Sequence, residues 1–136
     1  MGRKRHLLVD TDGRLIELWV HDADIQDPDG GCDVLRAAQA QHPTLERVWA
    51  DRRYAGSFVE WAAETLGIVV EVVQKAKGQV GFVVHARRWV VERTFSWLLK
   101  CRRLARDFEE LAETTEAWIY LAMTRLYLIR LARIDL

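Results

Sequence analysis

An α/β layer built on a mixed sheet is the fold class this sequence predicts, and three observations predict it. Short β-rich runs and amphipathic stretches follow one another in the order strand, strand, helix, strand, helix, strand, helix. Gly, Pro and Asp-rich turns punctuate them, with no internal repeat, low-complexity segment or linker. Half of the 136 residues are hydrophobic and six are Trp, which supplies a real core and excludes disorder. A single domain over residues 1–136 is expected.

The elements can be justified in order. Gly2–Arg5 is a basic start, and His6-Leu7-Leu8-Val9 is a short β-type run. Asp10-Thr11-Asp12-Gly13 has turn chemistry and leads to a second apolar run, Leu15–Val20, so the two form a β-hairpin. His21–Gly31 carries Asp22, Asp24, Asp27 and Asp29; their spacing does not fit a calcium loop and reads as a solvated acidic turn. Cys32–Gln41 has Val34, Leu35 and Ala38 at helical spacing and is closed by His42-Pro43. Leu45–Ala50 is a short strand running into Asp51. Ser57–Leu66 is a helix with Phe58, Trp61, Ala62 and Leu66 along its stripe, stopped by Gly67. Ile68–Val73 is dense in β-branched residues and reads as a buried strand. A basic turn at Lys75–Gly78 and a short run at Val80–Val84 follow.

A continuous helix is expected from about Arg87, since neither Gly nor Pro interrupts HARRWVVERTFSWLLKCRR. At 100° per residue, Val90, Thr94, Trp97, Cys101, Leu104 and Phe108 share one side. Arg88, Glu92, Ser96, Arg103 and Arg106 share the other. Thr114-Thr115-Glu116 is a helix-start signal for a last helix reaching about Arg133. That helix is apolar on most of its circumference, so it is either deeply packed or short of a partner.

Cys32 and Cys101 lack metal-ligand spacing, and a buried reduced thiol is expected at Cys101. The N-terminus has no secretory apolar region. Ala117–Leu131 is broken by Arg125 and Arg130 and is short for a bilayer, so no membrane partner is expected. A cytoplasmic location follows from these expectations.

The net charge of zero conceals a divided chain. From Lys75 to Arg106 there are nine Lys or Arg and one acid, Glu92; from Asp10 to Glu71 there are thirteen acids and five Arg. The stripe Arg87, Arg88, Arg93, Lys100, Arg102 and Arg103, with His85 before it, suits nucleic-acid phosphates. Glu92 on that face reads in two ways. Paired with Arg88 at i, i+4, it contributes only about 0.2–0.5 kcal/mol to a solvated helix. Held among cations, it suits a divalent metal at a phosphate site. Asp51 also reads in two ways, as a turn Asp paired to a neighbouring Arg or as a second carboxylate at a strand end, where α/β ligands bind. Two such acids in Arg-rich surroundings suit Mg²⁺ or Mn²⁺, which take hard oxygen ligands. Asp10 more naturally shapes its turn. No P-loop, GxGxxG, Ser/His/Asp or Cys/His arrangement competes.

The runs GRKRHLLVDTDG, VWADRRYAG, RRWVVERTFSWLLKCRRLARDFEEL and TTEAWIYLAMTRL resemble the C-terminal half of bacterial insertion-sequence transposases of the insertion sequence five group. The resemblance covers nearly the whole chain. It implies a ribonuclease H-like mixed sheet with flanking helices, and DDE chemistry: Mg²⁺-dependent strand cleavage and transfer on double-stranded DNA. In the family's W-A-D-x-x-Y-x-G motif the second catalytic Asp matches Asp51. In R-x-x-x-E-R-T-F-x-W the catalytic Glu matches Glu92, with Arg88 as the preceding Arg. Lys100 best matches the family's downstream basic residue.

The departures from the pattern carry expectations of their own. Asp12 stands where an apolar residue is usual, Arg52-Arg53 where small residues are common, and His85 where relatives carry Tyr. The family's first Asp lies upstream of the GRKRH run, so the core is expected to lack its first strand and the chain to be inactive alone. The rival expectation is a DNA-binding remnant without chemistry that pairs with itself or with an intact transposase. A frameshifted product, with the first Asp encoded upstream, is a third.

Overall fold

The computed structural model describes residues 2–73, 78, 80 and 86–134, with side chains over 90–133 in the last span. The hairpin is present: β1 (Arg3–Val9) pairs antiparallel with β2 (Leu15–Asp22), His6 opposite Trp19 and Leu8 opposite Glu17. Its turn is held by Asp10, whose Oδ1 accepts from the backbone N–H of Asp12 and of Arg14, each at 2.9 Å. Gly13 supplies the positive φ of 81° that the turn requires.

Helix α1 spans Asp27–Gln41, so it begins at Asp27 and not at Cys32. Half of the expected acidic turn is therefore helical. The reason is local: Pro28 sits in the first turn, and Asp27 and Asp29 complement the positive end of the helix dipole. The helix ends at His42, whose N–H reaches the Ala38 carbonyl.

Strands β3 (Arg47–Ala50) and β4 (Val69–Val72) are parallel, Arg47 opposite Val69 and Ala50 opposite Val72. Their crossover is helix α2 (Ser57–Trp61), which widens into a π turn over Ala62–Leu66 and stops at Gly67 with φ 66°. On β4 only Val70 is buried; Val69 is 48% exposed, so this strand is half-buried and not the fully buried one expected.

Helix α3 covers Ala86–Leu99, α4 covers Arg102–Ala105 and α5 covers Ala112–Ile134. The expected continuous helix therefore breaks at Cys101, whose backbone is extended (φ −77°, ψ 118°). No Gly or Pro marks that break; it lets Leu104 turn into the core, where it is 1% exposed. Phe108 leaves the predicted stripe and is 72% exposed. Helix α5 starts at Ala112, earlier than Thr114. Thr115 is not a cap: its buried hydroxyl donates to the Asp107 carboxylate at 2.9 Å. Basic turn Lys75–Gly78, run Val80–Val84 and His85 lie outside the described residues, Gly78 and Val80 excepted, as do the side chains of Arg87 and Arg88.

The α/β class holds, but the single mixed sheet does not appear among the described residues. The strands form two two-stranded sheets, one antiparallel and one parallel, which are not hydrogen-bonded to each other. Each of β1 and β3 has one described strand partner, so no described strand joins the two sheets.

Two cores result. Leu18 and Val20 of β2 pack with Leu98, Leu104, Ile119 and Met123. Leu35, Val48, Phe58, Ala62, Ile68 and Val70 form the second. Strand alternation places β1 between them: Leu7 packs against the first core and Leu8 against the second. No helix among the described residues is long and apolar enough to cross a membrane. Helix α5 is packed on one side only; Tyr120, Leu121, Leu128 and Leu131 are about half or more exposed.

Candidate nucleic-acid and metal site

Asp51 follows β3 directly and opens a single 3₁₀ turn over Arg52–Tyr54. Its Oδ1 accepts from the Arg53 backbone N–H at 2.7 Å, and the Tyr54 N–H reaches the Asp51 carbonyl at 3.1 Å. Asp51 is thus the cap of its own turn. The expected alternative, pairing with an adjacent Arg, is not the arrangement at Arg53, whose guanidinium reaches Asp27 at 3.9 Å. Asp27 also takes Lys4 at 3.0 Å.

Behind the turn lies a buried aromatic cluster. The Tyr54 hydroxyl is 2.6 Å from His6 Nδ1 on β1. His6 stacks on His21 of β2 with centroids 4.7 Å apart, and Trp19 lies against His21 at 4.5 Å. Burial, with Asp27 and Asp51 adding, raises the Tyr54 pKa, so its hydroxyl keeps its proton. Burial and the neighbouring His21 lower the His6 pKa from 6.5 to about 4, so His6 is neutral at pH 7.

Glu92 projects from α3, whose rotation is fixed from behind. Thr94 and Leu98 are buried, and the tip of the hairpin turn docks beside them: a Cβ at Gly13 would lie 3.2 Å from Thr94 Oγ1. Arg93 and Arg130 each lie over the Trp97 ring, at 4.6 and 4.7 Å, and both donate to the Asp12 carbonyl. This leaves Glu92 and Ser96 on the exposed side, as the helical wheel predicts. Helix α3 packs against both β1 and β3, so Glu92 lies on a helix that touches the strand leading into Asp51.

Of the six predicted phosphate-binding residues, Lys100, Arg102 and Arg103 are exposed. Arg103 is also held 3.3 Å from Glu109 and over Trp118 at 5.2 Å. Arg93 is drawn onto Trp97 and the Asp12 carbonyl, a structural contact that charge counting does not reveal. Arg87 and Arg88 belong to the backbone of α3. Sequence reasoning also passes over Arg130, whose only signal is a cation inside an apolar run, and the His6–His21–Tyr54 cluster. That cluster needs the hairpin register to bring together residues far apart in sequence.

The donor chemistry of Asp51 and Glu92, hard carboxylate oxygens, fits a divalent cation such as Mg²⁺ or Mn²⁺. Among the described residues no group of three His, Cys, Asp or Glu side chains comes together as a metal site. The described cleft lined by Glu17, Leu18, Trp19, Asp33, Val34 and Ala37 includes neither acid.

The described geometry is thus a carboxylate capping a turn after a parallel strand, a second on the exposed face of a helix packed against that strand, and the exposed cations Lys100, Arg102 and Arg103 at that helix's far end. Residues 1–127 match the family model described as the transposase DDE domain, and the chain belongs to that family. It is 31% identical over 132 residues to a protein of Burkholderia cepacia named as a transposase for insertion sequence element IS402. The match covers 88% of this chain and 60% of the relative. No solved structure matches the chain. Membership of a bacterial insertion-sequence transposase family thus agrees with the resemblance read from the sequence.

Proposed function

We propose that this chain is part of the catalytic domain of a transposase of the insertion sequence five group. It would act on double-stranded DNA by Mg²⁺- or Mn²⁺-dependent strand cleavage and transfer at element ends. The observation that carries this reading is the placement of the motif acids: Asp51 opens the turn that follows β3, and Glu92 lies on α3, which touches β3. In this reading the two carboxylates are metal ligands, and Arg87, Arg88, Lys100, Arg102 and Arg103 hold phosphates. Bound there, the cation supplies Lewis-acid activation of the attacking and leaving oxygens. The protein's own part is to hold the two carboxylates and to grip the backbone on either side. A ribonuclease H-like core accounts for the hairpin and the parallel pair as parts of one sheet, joined by a strand that carries the third carboxylate. Work on the nucleoid in the cytoplasm, as an oligomer or beside an intact transposase, belongs to the same reading.

Duplex-DNA affinity measured against salt tests the phosphate grip. Affinity should fall steeply with salt, and replacing Arg102 and Arg103 together should flatten the slope by roughly one unit for each phosphate no longer gripped. Salt-independent binding, or none at low salt, would reject it. Mn²⁺ titration should broaden resonances near Asp51 and Glu92 together, and Asp51→Asn should abolish the effect at Glu92. Strand cleavage should require a segment carrying the third carboxylate.

The alternative is a DNA-binding member of the family without chemistry of its own. It is favoured by the absence of a third metal-ligating side chain among the described residues. It keeps the salt-dependent binding and loses the joint Mn²⁺ response.

A further inference from the structure

The turn that presents Asp51 is only three residues long, Arg52–Tyr54, and its inward anchor is the Tyr54 hydroxyl. We propose that His6 is a positioning residue for Asp51. Through its 2.6 Å bond to Tyr54 it ties β1 to the turn and sets where the Asp51 carboxylate points. This rests on the reading of Asp51 as a catalytic carboxylate.

The two imidazoles are held in place from several sides. His21 Nδ1 lies 2.7 Å from the Asp22 carbonyl, which can only accept, so that nitrogen carries the proton. His21 Nε2 is buried without a hydrogen-bond partner. His6 Nε2 is likewise buried without a partner. Both face Gly30: a Cβ there would lie 2.4 Å from His6 Nε2 and 2.7 Å from His21 Nε2. His6 Nδ1 and the Tyr54 oxygen share one hydrogen bond, with His6 as donor or acceptor according to its tautomer.

Packing fixes both ends of the bond. On the His6 side, the ring is stacked on His21 and abuts Gly30. On the Tyr54 side, a Cβ at Gly31 would lie 2.8 Å from the Tyr54 ring, and Phe58 lies against that ring at 5.4 Å between centroids. The two adjacent glycines of α1 are the space into which the His6–Tyr54 pair fits. A second tie runs alongside: Asp27 of the same helix takes Lys4 of β1 and Arg53 of the turn. Thus the two residues after Arg52 are both anchored to the hairpin or to α1, and Asp51 caps the first of them.

The test compares His6→Asn, His6→Leu and Tyr54→Phe in the full chain. Asn places a polar amide atom near the position of imidazole Nδ1 and keeps a hydrogen-bonding group for Tyr54; Leu keeps apolar volume and removes that group. The readouts are hydrogen exchange of the Arg53 amide, which reports the Asp51 cap, and Mn²⁺-induced broadening at Asp51. In His6→Leu and Tyr54→Phe the Arg53 amide should exchange about tenfold faster, the size expected from losing one buried hydrogen bond. Amides in α5 should hold within about twofold, and His6→Asn should restore slow exchange at Arg53. Equal acceleration in Asn and Leu, or a drop in melting temperature with Arg53 exchange unchanged, would make the contact one of packing alone and overturn the proposal. If the unsubstituted chain shows no Mn²⁺ response, the metal reading of Asp51 fails, and Arg53 exchange still decides the role of His6.

Discussion

The hairpin half and the parallel-strand half of this molecule are held together by different means. In the hairpin half, long side chains reach backbone atoms far along the chain. Arg3 donates to the carbonyls of Glu110 and Leu111 and to Thr115, and pairs with Asp107. The Leu15 amide donates to the Tyr127 hydroxyl at 2.5 Å, and the Val20 amide to Glu116 at 2.8 Å. In the parallel half the binding is local: a β-α-β crossover with the cross-strand pair Arg47–Glu71, the Trp49–Glu71 bond and Gln39 donating to the Leu66 carbonyl. Asp51 belongs to the second half, while α3, which bears Glu92, is anchored in the first through Leu98. The candidate site therefore straddles two separately cored units, and its geometry depends on the joint between them.

The largest expected effects come from emptying each core in turn. Ile119→Ala and Ile68→Ala, both at fully buried positions, should each cost about 3 kcal/mol in denaturant unfolding. If the halves fold as one unit, both variants shift a single transition. Two transitions, each moved by one variant only, would show the halves to be independent. Gly30→Ala strikes the joint itself, because its methyl group would overlap both imidazoles of the hairpin. A loss of about 2 kcal/mol is expected, with Arg53 amide exchange accelerated.

Acid should act on the same joint. The folded-state pKa of His6, about 4, lies below its ordinary 6.5. A base depressed in this way stabilises the folded chain fully above pH 6.5, and that contribution is lost as pH falls from 6.5 toward 4. Stability measured across that window should decline in the unsubstituted chain and decline less in His6→Asn. A flat profile would mean that His6 charges without disturbing its neighbours. The smallest effect is expected at the Arg47–Glu71 pair, which is half-exposed on both sides. Arg47→Ala should change stability by less than about 0.5 kcal/mol.

Much of this organisation is legible in the sequence, for identifiable reasons. The hairpin follows from alternation around Asp10–Gly13, and the parallel unit from a β-rich run, an amphipathic helix and Gly67. Asp51 and Glu92 stand out because each carries a carboxylate into an Arg-rich stretch. What stays hidden depends on tertiary packing. The break at Cys101 has no local breaker; the early start of α1 rests on Pro28 and its acids being read as a helix start and not as a turn. Charge alone makes Arg93 a phosphate ligand, and only the fold shows Trp97 and the Asp12 carbonyl claiming it. His6 and His21 look scattered along the chain, and the strand register is what stacks them. The separation into two sheets is a matter of which strand edges meet, which no run of residues records.

The bonds from α5 back to the hairpin also set a timetable for synthesis. The hairpin leaves the ribosome before the parallel unit, yet Ile119 and Met123, which cover Leu18 and Val20, follow both. The parallel unit draws its core from Leu35 to Val70 and can close while α5 is still being made. Between the synthesis of Val72 and that of Ile119, then, the nascent chain carries a finished β-α-β unit beside a hairpin whose apolar face is bare. That interval is when a holding chaperone has most to protect.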